Sequence, residues 1–166
     1  LVGNPCDRPH EVCIQFDRSA QYYIENGMAR QISQEELMRI LKVGEEHALV
    51  LSPVNAADIG GMCLCCGCCC GMLRGLKVLD RPADYVQSSF QATIDGDLCS
   101  ACGTCLERCQ IAAIQEGDET FAVNTARCIG CGLCISSCPQ EAMSLVAKTG
   151  VAPPPATFTE MGKRIA

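Results

Sequence analysis

The chain has 166 residues, a formal charge of −6, no tryptophan, and only four Phe and three Tyr, so its core must be built from Leu, Ile, Val, Ala and Met. Sixteen cysteines mark either a disulfide scaffold or a metalloprotein. The acidic balance argues against a nucleic-acid partner, and no run approaches the roughly 20 apolar residues of a membrane span.

In chain order, Asp17 to Asn26 suits a helix ended by a left-handed Gly27. Ser33 then opens a capping box with Glu36, and Leu37, Ile40 and Leu41 share one face of the helix that follows. His47 to Leu51 reads equally as a short strand or as the tail of that helix, with His47 near the helix end. Asp58-Ile-Gly-Gly61 leads into a cysteine-rich loop, and Gly71 to Leu79 leads out of it as a helix carrying Arg74 and Lys77. Asp80-Arg-Pro-Ala83 reads as a linker turn.

From Ser89 to Ala147 the chain repeats itself with a period of 29 residues, Cys99 matching Cys128 and Cys109 matching Cys138. Each copy offers a short strand, a cysteine loop, one helical turn and another strand: Gln91 to Ile94 then Ala113 to Gln115, and Phe121 to Asn124 then Ala142 to Val146. Ala152-Pro-Pro-Pro-Ala156 is a stiff spacer, and the last ten residues suit a short helix. The expected organisation is α+β. A mainly helical, cysteine-rich segment over 1–83 precedes a (βαβ)2 module over 84–149, and 150–166 form a spacer with a docking segment.

Twelve cysteines stand in tight C-x2-C or C-C arrays, and neighbouring residues rarely satisfy disulfide geometry with each other. With no charged and then apolar segment after Leu1, no secretory signal is expected, and residues upstream of Leu1 are expected to be missing. The expectation is a cytoplasmic metalloprotein from a reducing, anaerobic setting.

The two repeats read Cys99-x2-Cys102-x2-Cys105-x3-Cys109 and Cys128-x2-Cys131-x2-Cys134-x3-Cys138-Pro139. Four soft thiolates per site suit a cubane iron-sulfur cluster, and three cysteines at x2 spacing wrap one cluster while the fourth points away. Zinc ribbons instead pair two C-x2-C knuckles. Gly103 and Gly132 stand where the backbone must turn close to the sulfurs. The stretch closely resembles a bacterial-type dicluster ferredoxin. In that fold the repeats exchange their fourth ligands. The resemblance therefore implies one [4Fe-4S] cluster on Cys99, Cys102, Cys105 and Cys138, and a second on Cys128, Cys131, Cys134 and Cys109. Gln110 occupies the position of Pro139 in the first copy, leaving an extra N–H there. If aimed at sulfur, that donor makes the cluster on Cys109 the easier to reduce.

The run Cys63, Cys65, Cys66, Cys68, Cys69, Cys70 reads as two interleaved sets, Cys63-x2-Cys66-x2-Cys69 and Cys65-x2-Cys68, with Cys6 and Cys13 as upstream fourth ligands. In an extended or turning strip, adjacent side chains point apart and can serve two sites. One or two further iron-sulfur clusters are expected here, the first on Cys63, Cys66, Cys69 and either Cys6 or Cys13. A zinc site, a non-cubane cluster gripped by adjacent cysteines as in heterodisulfide reductase, and persulfide handling stay open. With its upstream Cys-Asp-x-Pro-x3-Cys motif and Cys-x-Cys-Cys-x-Cys-Cys-Cys array, the chain resembles a group of anaerobe 4Fe-4S dicluster binding proteins. That resemblance brings no reaction with it.

Neither His10 nor His47 forms part of a recognisable catalytic set, and Arg74, Lys77 and Arg81 read as a solvated face that can also offset an anionic cluster. Residues 95 to 147 hold seven acids against Arg108 and Arg127. The expected role is an electron-transfer subunit serving a redox partner with a basic docking surface, within a larger oxidoreductase complex. The alternatives are a redox enzyme or activator with a special cluster in the Cys63–Cys70 loop, and a metal- or sulfur-handling protein.

Overall fold

A computed structural model describes residues 6–117 and 119–165. The fold is α+β, and the chain divides into two compact units, one of Cys6 with Cys66–Ala152, the other of Asp7–Cys65 with the tail from Pro153.

The second of these units carries helices α1 (Asp17–Glu25) and α2 (Gln34–Glu46) and strands β1 (Ile14–Gln15), β2 (Val50–Pro53) and β3 (Gly61–Cys65). The strands form an antiparallel sheet in the order β1-β3-β2, with Val50 opposite Cys65 and Ile14 opposite Met62. This sheet adds to the helices read from the sequence. Helix α1 ends as expected, with Gly27 at φ +68°. The Ser33 hydroxyl accepts the Glu36 N–H at 3.1 Å, capping α2. Glu36 does not complete the box; its carboxylate pairs with Arg30.

His47 caps the C-terminus of α2 and β2 begins three residues later, so both readings of His47 to Leu51 hold in part. Between them Ala48 turns left-handed at φ +52°, while its N–H and that of Leu49 return to the carbonyls of Glu45 and Gly44. This double bond pattern ends helices that usually carry glycine at Ala48's position. Gly44 itself lets α2 lie against Leu64 of β3, where any Cβ would collide with that side chain.

The proline-rich segment also belongs to this unit. The carbonyls of Pro155 and Ala156 accept the N–H groups of Ala57 and Asp58 at 2.9 and 3.0 Å, and Pro155 is buried. Helix α5 (Phe158–Ile165) follows, with Thr157 accepting the Glu160 N–H and Glu160 accepting that of Ala156.

The first unit carries helix α3 (Gly71–Lys77) and a 3-10 turn at Pro82–Asp84. That turn, read as a linker, is a packed element of the unit: Pro82 is among the most deeply buried side chains and the Ala83 N–H reaches the Ala126 carbonyl at 3.0 Å. Strands β4 (Phe90–Ile94) and β7 (Met143–Ala147) pair antiparallel, as do β5 (Ile114–Glu116) and β6 (Phe121–Val123), and α4 (Thr104–Arg108) lies between β4 and β5. The outer strands of the two copies therefore join each other, and so do the inner ones.

The 29-residue repeat extends to the backbone. Left-handed residues stand at Ala101, Gly103 and Ala112 in the first copy and at Gly130, Gly132 and Glu141 in the second. The cores match as well, Ala113 and Ile114 corresponding to buried Ala142 and Met143. The copies differ after the cysteine loop. Where α4 stands in the first, residues 133–137 of the second form a tighter turn, with Ile135 N–H to Gly132 O and Ser137 Oγ to Leu133 O. A serine hydroxyl that bonds back to the preceding turn competes with the helical ladder. The buried core of the described residues is aliphatic throughout apart from cysteine.

Candidate metal centres

In the first unit the fourth cysteine of the second copy comes to the loop of the first. Cys99, Cys102, Cys105 and Cys138 line one cavity, with Phe121 and Met143 among its walls. Cys109 in turn lies close enough to Cys128, Cys131 and Cys134 for the charge on one sulfur to be felt at another. Gly103 and Gly132, at φ +79° and +80°, turn the chain between the second and third cysteines of each loop. Gly130 allows a close approach, since a Cβ there would collide with the Phe90 carbonyl and the Ser88 hydroxyl.

The two groups differ in environment. In the Cys128 group, Cys128 and Cys134 are buried, and backbone N–H groups point at sulfur: Ala92 donates to Cys128 at 3.3 Å and Ala113 to Cys109 at 3.2 Å. Burial pushes the Cys134 thiol up to about 12, and its three sulfur neighbours push the same way. Burial also raises Cys131. In the Cys99 group only Cys105 is buried, and burial raises its thiol too. Cys102 is exposed, and Thr104, whose hydroxyl lies 3.5 Å from its sulfur, holds its thiol low.

Thiols packed together and raised by burial resist ionising on their own, and a bound cation reverses that. The donor sets fit a cluster that brings positive iron to four thiolates and leaves its sulfurs to accept the neighbouring N–H groups.

Two arginines lock the module. Arg127, the residue before Cys128, donates to the carbonyls of Leu79 (2.7 Å), Lys77 (3.1 Å), Ile111 (2.9 Å) and Ala112 (3.2 Å). It thereby ties the end of α3 to the loop after Cys109. Arg108 donates to the Leu133 carbonyl at 3.2 Å. Sequence reading counted these arginines only as charges; a basic residue directly before a ligand cysteine was the available signal.

A third group forms at the start of this unit. Cys6, Cys66, Cys68 and Cys69 bring their four sulfurs within 4.8 Å of one another. The chain from Cys66 to Cys70 is a turn closed by the Cys70 N–H on the Cys66 carbonyl at 3.2 Å. The Sγ of Cys66 lies 3.6 Å from that of Cys6 and accepts from Cys68 at 3.0 Å. Against burial, which acts to raise it, the thiols of Cys68 and Cys6 and the N–H groups of Cys69 and Cys68 pull Cys66 down to about 6. Cys68, donating to Cys66, is pushed up to about 12.

Of the set Cys63, Cys66 and Cys69 with Cys6 or Cys13, the structure thus gathers Cys66, Cys69 and Cys6, and joins Cys68 to them. Cys63 and Cys65 lie on β3, where alternate residues flank buried Leu64. Cys70 caps the N-terminus of α3, and exposed Cys13 lines a groove with His10 and Glu11.

Gln110 reaches this turn through its side chain: Oε1 accepts the Gly67 N–H at 2.8 Å. A Cβ on Gly67 would stand 2.6 Å from the Gln110 carbonyl and 2.8 Å from the Lys77 ammonium. Lys77 therefore lies against the turn, and Arg81 pairs with Asp84 at 2.7 Å.

A family model for the 4Fe-4S dicluster domain matches residues 92–145. The delta subunit of NADH-dependent phenylglyoxylate dehydrogenase from Aromatoleum evansii is 34% identical over 60 residues, covering 36% of this chain and 62% of that one. Hydrogenase-4 component A of Escherichia coli is 34% identical over 73 residues, 43% of this chain and 34% of the component. Pyruvate synthase subunit PorD of Methanocaldococcus jannaschii is 32% identical over 59 residues, 35% of this chain and 69% of PorD. The chain thus spans less than two thirds of the first of these relatives, a third of the second and just over two thirds of the third. The chain belongs to the 4Fe-4S dicluster family of iron-sulfur electron-transfer proteins. Among the described residues no helix is long and apolar enough to cross a membrane.

Proposed function

We propose that the chain is a one-electron relay subunit of an oxidoreductase, with one [4Fe-4S] cluster on Cys99, Cys102, Cys105 and Cys138 and another on Cys128, Cys131, Cys134 and Cys109. The observation that carries this reading is the crossing of the fourth cysteines, Cys138 into the first copy's cavity and Cys109 among the second copy's thiols. A cluster so held takes up and releases single electrons at a potential set by its surroundings.

Different roles for the two positions fit the residues around each site. Exposed Cys102 makes the Cys99 site the face for exchange with a partner. At the Cys128 site the N–H groups of Ala92 and Ala113 favour added negative charge and offset the burial that opposes it, which makes it the easier to reduce. This is the order expected from the extra N–H of Gln110, here supported by the N–H groups of Ala92 and Ala113.

The partner is a larger redox protein with a basic docking surface. Support comes from the seven acids of residues 95 to 147, whose two arginines are engaged with the module's own carbonyls, and from relatives named as subunits or components of such systems. Further iron-sulfur clusters at the N-terminal cysteines would lengthen the relay, but the sulfur spacing at Cys6, Cys66, Cys68 and Cys69 favours a smaller occupant.

Iron, acid-labile sulfide and low-temperature EPR on the anaerobically purified chain test the reading. About eight irons in two cubane signals are expected, with Cys138→Ser weakening the site of Cys99 and Cys109→Ser that of Cys128. Each substitution acting only on its own copy would overturn the crossed assignment.

A further inference from the structure

We propose that Cys6, Cys66, Cys68 and Cys69 hold a single tetrahedral divalent ion, zinc(II) or iron(II), that clasps the upstream chain to the Cys66–Cys70 turn. The argument is one of size. A metal 2.3 Å from each of four thiolates sets the sulfurs about 3.8 Å apart at tetrahedral angles. The four corners of a cubane set its cysteine sulfurs about 6 Å apart.

Of the two sulfur separations resolved in the group, 3.6 Å matches the single ion and 3.0 Å is shorter still, and the 4.8 Å within which all four lie is too short for the cubane. The repeats supply the control. Among the described residues no other set of cysteine, histidine or acidic side chains gathers its ligand atoms in this way, although the repeats carry eight cysteines.

The backbone explains the difference. Cys68 and Cys69 are adjacent, and in extended chain their side chains would diverge. The closed turn from Cys66 to Cys70 rotates successive residues by far less than half a revolution, so both converge with Cys66. Cys6 completes the set from 60 residues upstream of Cys66. Lys77 stands against Gly67 inside the turn, where its ammonium balances the net negative charge of a divalent ion held by four thiolates. Four soft sulfurs in tetrahedral array select zinc or iron over harder ions. The ion closes a loop and binds where the unfolded chain has no formed site, so it adds to stability directly.

Metal and sulfide analysis of the full chain, purified anaerobically, tests this. The expected result is one zinc, or one iron without matching sulfide, beyond the irons of the two clusters. Cys68→Ser should lose that ion while Cys63→Ser keeps it. Replacing the ion with cobalt(II) should give the intense visible bands of a tetrahedral thiolate site. About four extra irons with four extra sulfides, lost in Cys63→Ser and kept in Cys68→Ser, would show a third cubane and overturn the proposal, as would no metal beyond the cluster iron. A chain that keeps the extra ion but lacks eight cluster irons would refute the dicluster relay and leave this site standing.

Discussion

The repeats of residues 90–147 and the turn at Cys66–Cys70 use the same ligand chemistry with opposite backbones. In the repeats, cysteines three apart are separated by left-handed residues, Ala101 and Gly103 in one copy and Gly130 and Gly132 in the other. The loop opens around a cavity and takes its fourth sulfur from the other copy. In the turn, a single hydrogen bond from Cys70 to Cys66 folds three cysteines inward, and the fourth comes from far upstream. Cysteine spacing alone does not set the size of what is bound; the backbone between the cysteines does.

The sharpest way to break the comparison is to remove a buried sulfur from one copy. Cys134→Ser should cost roughly half of the cluster iron and one of two EPR signals, because a crossed site cannot borrow a ligand from its own loop. Loss of all cluster iron would mean that the copies do not load independently.

Next in size is Arg127→Ala. It removes donors to four carbonyls, each charge-assisted bond being worth about 1.5–3 kcal/mol. Denaturant unfolding should show a loss of several kcal/mol, and Arg127→Lys should recover little, because an ammonium cannot reproduce the planar fork.

Gly67→Ala addresses the turn. Its Cβ would press on the Gln110 carbonyl at 2.6 Å, so a thermal melt should show about 1–3 kcal/mol of destabilisation with the repeats' iron retained. Removing only the Gln110 side chain, in Gln110→Ala, should cost about 1 kcal/mol through the lost Gly67 bond. Unchanged stability in either variant would mean that the turn is not held by the loop after Cys109. A redox titration of Gln110→Pro should keep two separate midpoints, since Ala92 and Ala113 still donate to sulfur at the Cys128 site.

An effect as small belongs to the other unit, where Ser33→Ala should cost about 1 kcal/mol in unfolding and leave metal content untouched.

Much of this was legible in the sequence because it is written in local chemistry. The 29-residue cysteine period, the strand positions, Gly27 as a helix stop and Ser33 as a cap all appear where spacing and propensity put them. What escaped depends on conformations that residue type does not announce. Ala48, Ala101, Ala112 and Glu141 are left-handed without being glycine. Gly61-Met-Cys-Leu-Cys65 reads as part of a cysteine-rich loop, yet it forms strand β3. Cys68, rather than Cys63, lies grouped with Cys6, Cys66 and Cys69 because a closed turn overrides the divergence of neighbours that an extended chain would impose. The proline-rich stretch reads as a stiff spacer, but the carbonyls of Pro155 and Ala156 accept from Ala57 and Asp58.

The crossing of Cys109 and Cys138 also has a consequence in time. As the chain leaves the ribosome, the first loop emerges complete in sequence yet short of a ligand. The site around Cys128 gains its last sulfur with Cys134, and the site around Cys99 gains its own with Cys138, four residues later. Each site thus lacks a sulfur until the second repeat is nearly made, and the two become fillable almost together. Insertion of iron and sulfide is then an event of the finished pair, for which a nascent half-module offers no halfway product.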